Sequence, residues 1–94
     1  MEEEQQPQEF GEQPSVDDLR ELVSYIAKQL VDEPEAVEVH AMEDGRALVL
    51  ELSVAPDDVG KVIGREGRTA RAMRTLLSAM GSRIRKRAIL DILE

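Results

Sequence analysis

Apolar positions change their spacing along the chain, and each change marks an element. After Ser15, the residues Leu19, Leu22, Val23, Ile26 and Leu30 recur at intervals of three and four, the pattern of one helix face. Ser15 is placed to cap that helix, Asp17 and Asp18 favour its positive end, and Pro34 closes it. The segment AVEVHAM alternates instead, with Val37, Val39 and Ala41 to one side and Glu38, His40 and Met42 to the other. Asp44 and Gly45 suit a tight hairpin, after which RALVLELSV alternates again and sets Leu48, Leu50, Leu52 and Val54 on a buried side. Pro56, Asp57 and Asp58 suit the opening turn of a short helix that ends at Gly64. Beyond Gly67 a longer helix is predicted. It carries Met73, Leu76, Leu77 and Met80 on one face, Arg71, Arg74 and Thr75 on the opposite one, and Gly81 as its stop. RKRAILDILE reads as a last strand whose Ala88, Leu90 and Ile92 meet the same core. The predicted order is α-β-β-α-α-β, an α+β fold. Residues 1–14 show no such pattern and are expected to be a disordered acidic tail, leaving 15–94 as one domain.

Composition narrows the chemistry. The 94 residues include no cysteine and one histidine, so thiolate chemistry, a zinc site and a catalytic triad lack their usual material. His40 falls on the outer side of its strand and reads as a surface residue. A phosphate-binding loop of the G-x-x-x-x-G-K-[ST] type and a G-x-G dinucleotide fingerprint are both missing. Neither an enzyme, nor a cofactor, a metal or a small-molecule substrate is expected. No run approaches the roughly 18 apolar residues of a membrane span, and the first residues carry no basic-then-apolar leader, so a cytoplasmic, membrane-free protein is expected.

The formal net charge of -8 conceals a segregated chain. Residues 1–33 hold ten acids and two bases, whereas residues 60–94 hold nine bases and three acids. Such asymmetry points to a polyanion-binding region joined to an acidic one. The bases gather around glycines, in GKVIGREGRTARAMRTLL (60–77). Two residues separate Gly64 from Gly67, and a glycine turn of that kind exposes main-chain N–H groups where the next helix begins. Phosphates would meet those groups together with Lys61, Arg65, Arg68 and Arg71, while Val62 and Ile63 offer an apolar floor alongside. A charged rim beside an oily groove suits a single-stranded nucleic acid.

VIGREGRTA resembles the I-G-x-x-G signature of KH domains, and the element order resembles their bacterial type II arrangement. Over roughly residues 15–94 the chain is similar to the KhpA family of small single-KH bacterial RNA-binding proteins. The resemblance implies a three-stranded mixed sheet with three helices on one face, and a groove for about four nucleotides of single-stranded RNA. It implies that Gly64 and Gly67 are the obligatory glycines, and Arg65 and Glu66 the pair facing the phosphates. Val62, Ile63 and Ala70 would come from the groove helices, and Ile89 or its neighbours from the last strand. The GSRIRK segment would form the opposite lip, with Arg83, Arg85 and Lys86 supplying its charge. Glu66 departs from this logic by placing a carboxylate inside the turn. The family further implies association with itself, as a homodimer, or with a larger KhpB-like KH protein, and roles as an RNA chaperone or post-transcriptional regulator. An apolar outer sheet face of Met42, Val49, Ile89 and Leu93 would serve the alternative function of a protein-interaction module with weak RNA binding.

Overall fold

A computed structural model describes residues 13–94, so the acidic segment 1–14 lies almost wholly outside the described residues. The elements follow the predicted order: α1 (Val16–Leu30), β1 (Glu38–Asp44), β2 (Ala47–Ser53), α2 (Val59–Ile63), α3 (Arg68–Arg83) and β3 (Arg87–Ile92). One-turn 3-10 segments at Pro34–Ala36, Pro56–Asp58 and Arg65–Gly67 punctuate them.

Ser15 caps α1 as its sequence position suggests. Its hydroxyl accepts from the Asp18 N–H, and the Asp18 carboxylate accepts from the Ser15 N–H, so two donors at the helix end are satisfied reciprocally. The sheet is mixed, with β2 in the centre. β1 pairs antiparallel to β2 across the Gly45 turn, and β3 runs parallel to β2. A parallel neighbour requires a crossover, and α2, the glycine turn and α3 supply it. All three helices therefore cover one face. Central β2 is the most protected strand on that side, and Leu48, Leu50 and Leu52 are 0 % exposed. Around them pack Leu19, Val23 and Ala27 of α1, Val62 of α2, Met73 and Leu77 of α3, and Leu90 of β3. Among the described residues no helix is long and apolar enough to cross a membrane.

Three expectations need correction. Leu30 and Leu76 belong to the predicted apolar stripes but are 39 % and 49 % exposed, because each sits at the edge of its stripe while Ala27 and Met73 take the inward positions. Gly81 does not stop α3, which continues to Arg83. A Cβ on Gly81 would lie 2.7 Å from the Lys86 carbonyl oxygen and 3.2 Å from the Ala88 Cβ, so glycine there permits close approach of helix and strand. The left-handed residue that ends α3 is Arg85, with φ of 59°. Asp58 stands in the opening turn, as its sequence position suggests, and has a further role there. It is buried, and its Oδ2 accepts from the N–H groups of Asp32 (3.2 Å) and Glu33 (3.1 Å), tying the end of α1 to the start of α2.

Candidate nucleic-acid interface

The glycine turn is built from three unusual backbone conformations in four residues. Gly64 adopts φ 80° and ψ 171°, a region open essentially to glycine alone. Glu66 (φ 57°, ψ 26°) and Gly67 (φ 75°, ψ 13°) are both left-handed. The Gly64 N–H is bonded to the Gly60 carbonyl and the Gly67 N–H to the Gly64 carbonyl. Arg65 and Glu66 lie exposed between them, in the one-turn 3-10 segment. The turn presents this exposed backbone at the entrance to the 16-residue α3, whose dipole is positive there.

The charges around the turn are less uniform than the sequence suggests. Arg65 makes no ion pair among the described residues. Arg68 pairs with the Glu66 carboxylate at 3.2 Å, and the Arg71 guanidinium donates to the Glu66 carbonyl at 3.1 Å. Glu66 thus folds back on the helix and partly neutralises its neighbour. Lys61 is held by two acids, Asp58 at 3.4 Å and Asp32 at 3.5 Å. Burial opposes ionisation of Asp58, but the two backbone N–H bonds and the Lys61 ammonium outweigh it and hold the carboxyl below its ordinary value. The hydrogen bond to Asp58, with the charge of Asp32, raises the Lys61 ammonium above its own. Lys61 is therefore a structural cation more than a free one, and the acids are not all remote from the basic segment.

Of the proposed apolar floor, Ile63 is half-buried beside the turn, whereas Val62 is 0 % exposed and Ala70 3 %. Both side chains are turned inward, Val62 as the single buried position of the five-residue α2 and Ala70 in the first turn of α3. Ile89 also lies elsewhere. Ala88 and Leu90 face the helices, so Ile89 projects to the opposite side of β3, in register with Val49 and, through it, with Met42. These three form one apolar row across the outer sheet face, bordered by His40, Glu51 and Asp91.

Arg83, Arg85 and Lys86 do not meet the turn across a groove. Helix α3 packs antiparallel beside β3, as the Arg74 bond to the Leu90 carbonyl (3.3 Å) and the approach of Gly81 to Ala88 show. The glycine turn stands at one end of α3 and the 83–87 segment at the other, about 22 Å away at about 1.5 Å per residue along the 16-residue helix. Sequence reasoning missed Arg74 as a groove residue. Its guanidinium lies over the open edge of β3, where the even-numbered carbonyls point because Arg87 and Leu93 direct their N–H groups toward β2. The arginine periodicity of the helix was the available signal. It also missed Arg46, which no sequence spacing links to Arg87 but whose carbonyl accepts from the Arg87 N–H at 2.7 Å.

Comparison with known proteins bears directly on this arrangement. A family profile described as KhpA/KhpB, KH domain, matches residues 20–92. The chain belongs to the KhpA/KhpB family of KH domains. It is 51 % identical over 75 residues to the RNA-binding protein KhpA of Caldanaerobacter subterraneus subsp. tengcongensis, covering 80 % of this chain and 100 % of the relative. It is 49 % identical over 76 residues to the protein of the same name from Aquifex aeolicus, covering 81 % and 96 %. Among solved structures, a crystal structure of Era in complex with MgGDPNP and nucleotides 1506-1542 of 16S ribosomal RNA aligns with a TM-score of 0.51 at 19 % identity. That alignment covers 96 % of this chain and 35 % of Era, a likeness of fold. The KH assignment makes α2, the GREG turn and α3 one helix-turn-helix unit of the type II arrangement. In this KhpA/KhpB member, Gly64 has a steric reason beyond its dihedral angles: a Cβ there would lie 2.3 Å from Thr69 Oγ1 and 2.9 Å from the Thr69 backbone nitrogen.

Proposed function

We propose that this chain is a non-catalytic RNA-binding protein that holds about four nucleotides of single-stranded RNA, with the GREG turn on the phosphate backbone. The observation that carries the proposal is the exposed turn from Gly64 to Gly67, whose left-handed backbone stands at the positive end of α3 beside Arg65, a side chain with no ion pair among the described residues. An anion fits that combination, and little else does. Support comes also from the KH family membership and from relatives named as RNA-binding proteins. In this reading Ile63 and the α3–β3 seam receive bases, Arg71 and Arg74 line the strand's path, and Lys61 acts by holding α2 in place. The domain spans 15–94, acts in the cytoplasm without a cofactor, and serves as an RNA chaperone or post-transcriptional regulator.

The test combines Arg65→Asp and Glu66→Asp in one variant. Both positions are exposed, so circular dichroism should remain that of the parent while binding to a short unstructured RNA largely disappears. The parent should prefer that RNA over a matched hairpin stem, with affinity falling as salt rises at a slope of about -2, roughly 0.7 per phosphate for three phosphates. A folded variant that binds like the parent would remove the turn from the interface.

A second reading is supported by the Met42, Val49 and Ile89 row, in which Met42 is 48 % exposed. Such a row suits a homodimer or a KhpB-like partner. Met42→Glu should then abolish any concentration-dependent mass increase in sedimentation without altering RNA affinity per chain.

A further inference from the structure

Positive charge is not confined to the glycine turn. A second group lies at the far end of α3, where Arg46, Ser78, Ser82, Arg85, Lys86 and Arg87 line an open depression. Lys86 is neutralised there by Glu43 at 2.7 Å and donates to the Gly45 carbonyl at 3.2 Å. Arg46, Arg85 and Arg87 make no ion pair among the described residues. Three guanidinium groups, from the β1–β2 turn, the α3–β3 turn and β3, therefore share the depression with two helix hydroxyls, and no carboxylate is among its lining residues.

The backbone adds an independent observation. Helix α3 ends in a Schellman turn: the Lys86 N–H bonds the Gly81 carbonyl at 2.9 Å, and the Arg85 N–H bonds the Ser82 carbonyl at 3.3 Å. The left-handed position of that motif is normally glycine, yet here it is Arg85 at φ 59°. An arginine held in a conformation that glycine fills with less strain supplies a planar, five-donor fork in return.

We propose that this depression is a second phosphate site, which grips the backbone of the same RNA strand beyond the nucleotides held at the turn. The proposal rests on the RNA-binding reading above. Arginine forks and hydroxyls suit phosphodiester oxygens, and no aromatic ring lines the site for base stacking, so it takes backbone and not bases. The separation along α3 is too long for the few nucleotides held at the turn to contact both places, so only a longer strand reaches the second site. The strand would run from the turn, past Arg74, along the α3–β3 seam.

The experiment uses the full chain with two unstructured RNAs of one repeating sequence, a tetranucleotide and a dodecanucleotide, titrated at several salt concentrations. Multiple registers on the longer strand raise its affinity but leave its salt slope unchanged. A second site should steepen that slope from about -2 for the tetranucleotide to about -4 for the dodecanucleotide, three added arginines contributing about 0.7 each. In a variant carrying Arg85→Gly and Arg87→Gln, the dodecanucleotide slope should become shallower by about 1.4 while tetranucleotide binding stays as in the parent. Arg85→Gly alone should raise Tm, since glycine relaxes the Schellman turn, yet weaken dodecanucleotide binding, a combination that loss of folding does not produce. Equal slopes for the two RNAs, or equal losses on both in the variant, overturn the second site. If the parent binds neither RNA, the RNA-binding reading itself fails and this inference with it.

Discussion

Gly64→Ala and Gly67→Ala should have very different consequences, although the I-G-x-x-G pattern treats the two glycines alike. At Gly64 the backbone sits in a region that side chains avoid, at a penalty of about 1–3 kcal/mol. The added methyl would also meet Thr69 Oγ1 at 2.3 Å and Thr69 Cβ at 2.7 Å. Rotating the threonine relieves those two contacts but not the third, at 2.9 Å from the Thr69 backbone nitrogen, so α3 must shift against α2. Overpacking of that kind adds about 1–3 kcal/mol. The sum, about 2–6 kcal/mol, is a large part of the roughly 4–12 kcal/mol that holds a domain of this size together. At Gly67 the left-handed angles penalise alanine by about 1–2 kcal/mol, and the nearest atom is the mobile Arg71 guanidinium at 3.6 Å. Urea denaturation followed by circular dichroism measures both. Gly64→Ala should lose two to three times as much stability as Gly67→Ala, with a Tm drop of at least about 10 °C. Equal losses would refute the claim that close approach to Thr69, and not positive φ alone, fixes glycine at position 64.

Glu66→Gly should relax a left-handed residue and release Arg68, raising stability by about 0.5 kcal/mol net of glycine's greater freedom when unfolded, and tightening RNA binding several-fold at low salt but not at high salt. Binding that weakens instead would mean that the Glu66 carboxylate takes part in recognition. Asp58 is held below its ordinary value, so its stabilising contribution is complete above the unfolded value, about 4, and is lost as pH falls through the folded one. Lys61, raised, contributes fully below about 10.5 and loses its contribution only above that. Thermal melts across pH should therefore show Asp58→Asn to be less stable than the parent at neutral pH, with a flatter acid limb, whereas Asp57→Asn changes little. Leu50→Ala should destabilise by about 2–5 kcal/mol in the same denaturation assay, because the residue is fully enclosed and its surroundings cannot collapse onto a central strand.

The six regular elements and their order were legible because each rests on a local period. Leu48, Leu50 and Leu52 alternate within one strand, Leu19 and Val23 repeat within one helix, and Ser15 caps its own helix through neighbours three residues on. The glycine turn was legible for the same reason, since Gly64, Glu66 and Gly67 adopt their unusual angles within four residues. What escaped the sequence depends on partners far along the chain. Asp58 becomes a buried tie only because the end of α1 comes to rest on it, 26 residues away in sequence. Val62 and Ala70 leave the groove for the core because a five-residue α2 and the start of α3 have no other inward positions to offer. For Ile89 the alternation of Ala88, Leu90 and Ile92 already set the outer face, and the strand's parity overrides only the groove position that the family resemblance implied. Most consequentially, the basic 83–87 segment, adjacent to the turn in a charge count, is carried to the opposite end of α3 by the rigidity of a 16-residue helix, where parallel pairing of β2 and β3 delivers Arg46 to meet it. Periodicity and charge determine which residues are inward, outward or basic; only the packing of helix against sheet decides which charges share a site.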